Sequence, residues 1–595
     1  MDRKDGVSFW MVWVRVARPS GRFGRSASAW DRVAVLHVHK SMRLSRSEVW
    51  RRCVRKKAMS HEGEGENETE GIHGETNQGL KKVLDWKDLT MLGIGGIIGA
   101  GVFVLTGVAA ESKAGPAVAI SYTLASVASL FSALCYSEFA SEFPIAGGAF
   151  NYVAMTFGEL LAWIVGCNLI LEYTLSAAAI ARGFSSYLST LFGMHPTALV
   201  INLGPIPLDF IALLVIVLLC AILAYGIAES SKFNMVITGL NVATILIVFI
   251  AGVGQIDAAN YNPFTPFGVR GIFAGASIVF FSFIGFDTVS TAAEETKNPS
   301  FDLPVGIVGS LGICTILYVL MCLVITGMVP FSEIDTNAPF SAAFDAAGMS
   351  WVSRIVSLGA VAGITTSIMV SLLGQTRIYL VLAREGLLPP VFAQVHETRG
   401  TPVFATAVTA VTAGLLSFLF DIEILAELVS IGTLFVFACV CAAVLWRRYR
   451  VEERPALPLG WRLAAVVLLS VVIGEISRFD EPFWILTPLL LVLAGISYSL
   501  SRLPLAEHGP QKFKVPFVPY IPVMGIFSAI YLIGSLGILA YVRFVVWSGL
   551  SIVLYLLYGV HYSNIDAESE MVPIVDKRGM ALSSRPLDDD LQNLD

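Results

Sequence analysis

The sequence predicts an all-α integral membrane protein with about fourteen helical spans. Of the 595 residues, 55% are hydrophobic and only 14% are charged, whereas soluble globular chains carry about 25% charged residues. Crossing the hydrocarbon core of a bilayer takes about 20 mostly apolar residues. Such stretches recur from about Leu89 to Tyr562 and leave no room for a soluble domain between them.

Residues 1–79 precede the first span, and we expect them to form a cytosolic tail that is largely disordered. Residues 1–57 hold fifteen Lys or Arg against four Asp or Glu. This composition resembles a transit peptide, and an upstream extension of the gene model explains it equally well. Residues 61–78 are polar and Glu-rich, which is typical of disorder.

The spans fall into a ten-helix core, residues 80–450, and four additional C-terminal helices, residues 451–562, followed by an acidic cytosolic tail, residues 563–595. The core divides into two repeats, 89–254 and 271–446. The predicted spans are 89–110, 116–140, 159–187, 208–227, 233–254, 271–293, 304–329, 351–383, 403–420, 424–446, 461–477, 483–500, 517–541 and 544–562.

The distribution of basic residues predicts the orientation of these spans. With a cytosolic N-terminus, fifteen Lys and Arg lie in the inner loops and flanks, against five in the outer loops: Lys113, Arg270, Arg354, Arg478 and Arg543. Cytosolic loops carry such an excess of positive charge. Because the number of spans is even, both termini are predicted to face the cytosol.

Two spans are predicted to be broken rather than continuous helices. The first contains five glycines between Gly93 and Gly101, and the sixth carries Gly285 in mid-run followed by Asp287. These spans open two consecutive blocks of five, which have opposite orientations because five is odd. Glycine-interrupted spans in corresponding positions are typical of inverted-repeat transporters. The alternative is that the glycines only allow close helix packing, as the Gly95 and Gly99 spacing does.

A broken helix offers backbone groups for binding both ends of a zwitterion. The N–H groups at a new helix start, together with the helix dipole, favour an anion. Carbonyls freed on the other side of the break can receive an ammonium group. The broken pair therefore predicts a site for an amino acid.

Polar residues of the third span predict one wall of that site. Glu172 lies about twelve residues into the span, near mid-depth, where a carboxylate costs about 2.5–3.5 kcal/mol by insertion scales. Asn168, Glu172 and Ser176 are four residues apart and share one helical face. Glu172 is predicted to balance a substrate's positive charge, and the alternative is a buried pair with Arg182. Asp287 is assigned to coupling or gating, or to bonding the freed N–H groups of the sixth span.

Catalytic machinery is not visible in the sequence. It contains no phosphate-binding loop, metal-ligand cluster or nucleophile–base arrangement, so we expect neither cofactor nor metal and no enzymatic activity.

At these residues the chain resembles the cationic amino acid transporter family of the amino acid–polyamine–organocation superfamily, and it looks similar to plant members. The matching stretches are Gly95–Phe103, Cys135–Glu138, Phe143–Gly148, Leu169–Tyr173, Phe281–Asp287, Ser290–Glu295, Lys297–Pro299 and Leu303–Pro304.

The resemblance implies a leucine-transporter-type fold of five plus five inverted helices with alternating access around a central site. It places the substrate carboxylate at Gly99, Ala100 and Gly101 beside Ile97 and Ile98, the sixth-span gate at Phe281, Ser282 and Ile284, and the third-span acid at Glu172. One position departs from the similar bacterial members, in which a lysine of the fifth span is thought to couple transport to protons. Asn241 stands there, and an amide cannot titrate near pH 7.

The sequence therefore predicts a secondary transporter or facilitator of cationic amino acids such as lysine, arginine and ornithine. Neutral amino acids or polyamines, with the same fold, and a non-transporting amino acid sensor are the alternatives. The predicted partners are the amino acid and membrane lipids, with proton coupling left open and no nucleic acid. The predicted location is the plasma membrane or the vacuolar membrane.

Overall fold

The computed structural model describes residues 46–57, 84–145, 147–203, 206–225, 230–396, 401–451, 455, 457–477, 483–506, 512–564, 573–575 and 581–584. Within these ranges the regular structure is helical apart from two short hairpins, which confirms the all-α class. The disorder predicted for residues 1–79 and the irregular acidic tail fall largely outside the described residues.

The helices are numbered here in chain order. They are α1 Arg46–Cys53, α2 Trp86–Ile97, α3 Thr106–Ala109, α4 Val118–Glu142, α5 Ala149–Thr156, α6 Glu159–Leu191, α7 Phe210–Tyr225, α8 Ser230–Val253, α9 Gly268–Val279, α10 Phe286–Thr291, α11 Pro299–Met328, α12 Pro339–Ala346, α13 Ser350–Arg384, α14 Val403–Leu419, α15 Ile422–Tyr449, α16 Leu457–Ser477, α17 Phe483–Ser501, α18 Tyr520–Gly534, α19 Ile538–Leu554 and α20 Val560–Tyr562.

Short irregular helices and two hairpins complete the description. Turns of π-helix cover Gly101–Leu105, Ala110–Ala114 and Tyr555–Gly559. Turns of 3-10 helix cover Gly115–Ala117, Ala258–Tyr261, Phe280–Phe283, Ala293–Glu295, Phe331–Glu333 and Pro390–Ala393. Antiparallel strands β1 (Ile201–Leu203) and β2 (Ile206–Leu208) precede α7, and β3 (Pro573–Val575) pairs with β4 (Ala581–Ser584).

Ten helical segments of the described residues are long and apolar enough to cross a membrane. They are Gly101–Glu142, Glu159–Leu191, Met235–Val253, Gly268–Thr291, Pro299–Met328, Ser350–Arg384, Ile422–Tyr449, Leu457–Ser477, Trp484–Ser501 and Ile538–Tyr562. Three apolar helices are shorter: Phe210–Ala224, Val403–Leu419 and Tyr520–Gly534. A multi-pass membrane protein is thus confirmed, whereas the count of about fourteen and the inverted repeat stay predictions.

One predicted boundary is wrong. The predicted spans 517–541 and 544–562 place the division between residues 541 and 544, but α18 ends at Gly534 and α19 begins at Ile538. Gly534, Ser535 and Gly537 lie at the turn, where such residues are favoured. Arg543 consequently lies inside α19 rather than in a loop.

The start of α2 shows how local chemistry fixes a helix end. The Asp85 side chain accepts hydrogen bonds from the N–H groups of Lys87 and Asp88, and the Asp88 side chain accepts one from the Asp85 N–H. This reciprocal capping satisfies donors that a helix start leaves free. The bond from the Asp88 N–H is the main reason why the pKa of the Asp85 carboxyl is lowered.

The broken sixth span and α6 lie at the centre of the helix assembly. The apolar windows of Gly268–Thr291 and Glu159–Leu191 are 89% and 83% buried within the protein, against 17% for Trp484–Ser501 and for Ile538–Tyr562. Helix α6 packs against α13 and α15, and α2 packs against α11. Irregular backbone at membrane depth must be surrounded by protein, and this placement meets that requirement.

Candidate functional site

Both helices predicted to be broken are broken at the predicted glycines. Helix α2 ends at Ile97, Ile98 is extended (φ −76°, ψ 100°), and a π-helical turn begins at Gly101. The sixth span passes from its 3-10 turn through extended Ile284 to Gly285 (φ 125°) before α10 begins. An L-residue rarely adopts the Gly285 conformation. The glycines also allow close helix packing, which is the alternative interpretation, since a Cβ on Gly99 would lie 2.6 Å from Ser367 Oγ.

The two breaks lie directly against each other. A Cβ built on Gly285 would stand 2.7 Å from the carbonyl carbon of Gly96 and 3.1 Å from the Ile97 nitrogen. A Cβ on Gly101 would stand 2.6 Å from the Cα of Ser282. These distances are well inside van der Waals contact, so glycine is required at both positions for the two backbones to meet.

Hydroxyl groups from neighbouring helices bind carbonyls that the breaks leave free. The Tyr318 hydroxyl of α11 donates toward the carbonyls of Ile97 (2.8 Å) and Ser282 (3.2 Å). The Ser367 hydroxyl of α13 donates to the Gly96 carbonyl at 3.0 Å. A carbonyl oxygen has two lone pairs, so each keeps an acceptor position. The structure therefore braces the breaks and leaves part of their acceptor capacity for a ligand.

Tyr122 of α4 braces the same place from another side. Its hydroxyl lies 3.3 Å from the Gly101 carbonyl and 3.1 Å from Ser282 Oγ. Sequence reasoning missed Tyr122, Tyr318 and Ser367. A signal existed for the two tyrosines, because a buried Tyr hydroxyl needs a partner, but nothing in the sequence indicates which carbonyl it finds.

Replacing Tyr318 with phenylalanine is expected to lower the Tm of the purified protein. The change leaves the carbonyls of Ile97 and Ser282 without this donor, at a cost of about 1–3 kcal/mol. Tyr520→Phe is the matched control, since Tyr520 is 44% exposed. Equal Tm values for the two variants would mean that the Tyr318 hydroxyl does not brace the breaks.

The polar face of α6 carries an acid that no described residue hydrogen-bonds. Asn168, Glu172 and Ser176 are all buried, with Glu172 only 2% exposed. Neither carboxylate oxygen of Glu172, nor Asn168 Oδ1, accepts a hydrogen bond from any residue that the structure describes. Buried polar groups are nearly always hydrogen-bonded, so the free acceptors on this face indicate a ligand-binding surface.

The described neighbours of Glu172 include a second acid. Asp287 interacts with it electrostatically, and the Thr433 side chain of α15 also lies near. Gly432, on the same helix, faces Asn168: a Cβ there would lie 3.5 Å from Asn168 Oδ1. The alternative pairing of Glu172 with Arg182 is not found, because Arg182 bonds the Phe420 and Pro207 carbonyls instead.

Asp287 ties the broken sixth span to α6. Its Oδ1 accepts the Gly285 N–H at 3.2 Å, and its Oδ2 accepts the Tyr173 hydroxyl at 2.7 Å. Tyr173 follows Glu172 in the chain and is a further residue of the site that sequence reasoning did not single out. Asp287 thus has the geometry of a bracing group, with one carboxylate oxygen on each side of the contact.

The remaining predicted residues are buried, but they differ in their distance from the breaks. Phe281 and Ile284 lie in the broken sixth span itself, where the Ile284 N–H donates to the Phe281 carbonyl at 3.1 Å. Asn241 of α8 packs against Gly363 of α13, one helical turn from Ser367, and its amide bonds no described residue. It therefore lies beside the breaks rather than in them.

Two cavities flank the paired breaks. The smaller, of about 10 Å³, is lined by Tyr173 and Asp287 among others and holds roughly one water. The larger, of about 140 Å³, is named here the Arg182 cavity. Its lining includes Val104, Arg182, Gly183, Asp209, Asn337 and Asp421.

Ion pairs join the helix ends on the side away from the Arg182 cavity. Their distances are 2.8 Å for Arg448–Glu138, 2.7 Å for Arg377–Glu295, 2.6 Å for Lys57–Glu385 and 2.9 Å for Arg55–Glu159, and Arg447 also pairs with Glu142. Connectivity places these residues at one end of the helices. The helices around the site are therefore joined by ion pairs at one end, and the site adjoins a cavity at the other end.

The family model described as amino acid permease matches residues 84–479, and the one described as the C-terminus of AA_permease matches residues 513–563. Among curated proteins, the chain is 40% identical to cationic amino acid transporter 7, chloroplastic, of Arabidopsis thaliana, over 85% of this chain and 90% of the relative. It is 40% identical to cationic amino acid transporter 1 of the same plant, over 81% and 83%. A branched-chain amino acid permease of Bacillus subtilis (strain 168) is 37% identical over 82% and 95%.

Proposed function

The chain belongs to the amino acid permease family and is an amino acid transporter rather than an enzyme, and from this premise we propose that it carries cationic amino acids by alternating access. The proposed substrates are lysine, arginine and ornithine. The similarity to relatives named cationic amino acid transporters supports this substrate class, and the chemistry of α6 supports it independently.

The unpaired carboxylate of Glu172 is the observation that carries the proposal. Glu172 is buried, bonds no described residue, and has the acidic Asp287 for a neighbour. An isolated buried charge is costly unless an opposite charge accompanies it. An ammonium or guanidinium group from the substrate supplies that charge, while a neutral side chain leaves the cost in place.

The paired breaks supply the part of the site that every amino acid shares. The substrate carboxylate is proposed to lie on the backbone of Gly99, Ala100 and Gly101, where the helix that follows the first break starts. Ile97, Ile98 and Ser282 border this backbone, and the free acceptor positions of their carbonyls suit the α-ammonium group. Phe281 and Ile284 are proposed to close over the side chain.

Alternating access is proposed to open the two ends of the site in turn. The ion-paired end, with Arg377–Glu295 and Arg448–Glu138, is the predicted cytosolic end, and its pairs must separate before substrate leaves there. The Arg182 cavity lies at the predicted outer end. This arrangement supports a conformation closed toward the cytosol. Both termini are proposed to be cytosolic, and the proposed location is the plasma membrane or the vacuolar membrane.

Membrane potential is proposed as the driving force, because the fifth span offers no titratable group at Asn241. An inside-negative potential is worth about 2.3 kcal/mol per charge per 100 mV, which corresponds to about 40-fold accumulation of a monovalent cation. In proteoliposomes we expect lysine uptake to follow an imposed potential and to change little with an imposed pH gradient. Uptake that follows the pH gradient instead would restore proton coupling.

Neutral amino acids are the second candidate substrates, favoured by the similarity to a branched-chain amino acid permease. Parallel uptake of labelled lysine, leucine and putrescine in the same proteoliposomes separates the candidates. We expect lysine to be preferred. Preference for leucine would contradict the cationic assignment and leave amino acid transport intact, and preference for putrescine would indicate a polyamine carrier.

A further inference from the structure

We propose that the Arg182 cavity is a second binding site, which takes the ammonium or guanidinium end of an organic cation. The inference extends the proposed function, since such a cation is the side chain of the proposed substrates. It concerns residues that lie outside the paired breaks and outside the Glu172 face.

The charged groups of the cavity carry an excess of negative charge. Asp209 and Asp421 both line it, with Arg182 between them as the cation. Arg182 lies 3.5 Å from Asp209 Oδ2 and 3.8 Å from Asp421 Oδ1. Two carboxylates against one guanidinium leave one negative charge for a ligand to balance.

Asp209 Oδ2 faces Arg182 in an ion pair of 3.5 Å, a distance too long for a hydrogen bond of good geometry. Its side chain is fully buried, and its Oδ1 accepts the Ser185 hydroxyl at 2.7 Å and the Ala212 N–H at 2.9 Å. Its Oδ2 accepts no hydrogen bond from the described part of the chain. A buried carboxylate oxygen in that state favours a ligand that donates.

Asp421 gives the cavity an accessible acid. Its side chain is 60% exposed, and its contact with Arg182 is long for a charge-assisted hydrogen bond. Arg182 is already held by the carbonyls of Phe420 and Pro207, each at 2.7 Å. A second cation can therefore approach Asp421 without displacing Arg182 from its backbone partners.

The size and position of the cavity suit a cationic end group. A cavity of about 150 Å³ admits benzene, so about 140 Å³ admits a guanidinium group and part of its chain. Gly183 lines the cavity, and a Cβ on it would lie 2.8 Å from the Ala100 Cβ. The cavity thus borders the backbone proposed to bind the substrate carboxylate.

A purely structural role for the cluster makes a different prediction. If Asp209 and Asp421 only fastened α6 to its neighbours through Arg182, no added cation would bind. Agmatine separates the two roles, because it carries a guanidinium group but lacks the carboxylate that the paired breaks are proposed to recognise.

The test is titration of agmatine into the purified full-length protein in detergent. We expect the wild type to bind agmatine, and Asp421→Asn and Asp209→Asn each to weaken binding about tenfold or more. Asp421 is largely exposed, so its variant keeps the test valid if Asp209→Asn does not fold. Glu333→Gln is the matched control, an exposed acid in the same loop as Asn337, and is expected to bind like the wild type.

Three results would overturn the second site. They are no agmatine binding by the wild type, wild-type affinity for agmatine in both aspartate variants, or loss of binding in Glu172→Gln, which would place agmatine at the central site. Lysine uptake decides the proposed function separately. Lysine uptake without agmatine binding would leave the cationic assignment and remove the second site. Agmatine binding at the cavity without lysine uptake would leave the second site and remove the cationic assignment.

Discussion

Replacing Gly285 with alanine is expected to reduce lysine uptake at least about a hundredfold. Gly285 has φ 125°, and a Cβ there would stand 2.7 Å from the carbonyl carbon of Gly96. The backbone strain costs about 1–3 kcal/mol and the steric overlap another 1–3 kcal/mol. A hundredfold loss corresponds to only about 2.7 kcal/mol. The two breaks must therefore move apart, and the backbone site is lost with them.

Gly312→Ala provides the matched control for this substitution. Gly312 lies within α11, and a Cβ on it would meet no atom within 4 Å, so uptake and Tm should stay near the wild-type values or rise slightly. Uptake is measured in proteoliposomes at equal protein density, after size-exclusion chromatography confirms that each variant is monodisperse. Wild-type uptake by Gly285→Ala would mean that the contact between the breaks is not needed for transport.

Helix interruptions could be predicted because they have local causes. Five glycines between Gly93 and Gly101 weaken a helix wherever they lie, and Gly285 followed by Asp287 predicts a break with a nearby acceptor for its freed N–H groups. The structure has that bond, from the Gly285 N–H to Asp287 Oδ1. The polar face of α6 was also predictable, since Asn168 and Glu172 need only helical periodicity to lie together.

Partners from distant parts of the chain could not be predicted. Tyr318 reaches Ile97 across 221 positions, and Arg448 reaches Glu138 across 310. Arg182 was the obvious basic partner for Glu172 in the same helix, yet ten residues of α-helix separate the two by about 15 Å. The tertiary fold supplies Asp209 and Asp421 to Arg182 instead, and no basic residue of the described ranges bonds Glu172.

Glu172→Gln is expected to lower lysine uptake about 30-fold or more while leaving leucine uptake nearly unchanged. Removing one member of a buried, hydrogen-bonded charge pair costs about 2–5 kcal/mol, and the pair here is formed only when a cationic substrate is bound. Glutamine keeps the size of the side chain and removes its charge. Equal loss for lysine and leucine would indicate that Glu172 holds the α-ammonium group that both substrates share.

The same substitution should raise the Tm of the substrate-free protein, and this outcome separates a binding role from a structural one. Glu138 is the matched comparison, because it is as buried as Glu172 but is bonded by Arg448 at 2.8 Å and by the Val515 N–H at 2.8 Å. Glu138→Gln leaves the Arg448 charge without its partner, at a cost of about 3 kcal/mol. Glu172→Gln removes a charge that nothing described balances, so it should stabilise by about 1 kcal/mol or more. A raised Tm for Glu172→Gln and a lowered Tm for Glu138→Gln would show that Glu172 destabilises the substrate-free protein and serves in binding. A lowered Tm for both variants would show that Glu172 stabilises the fold.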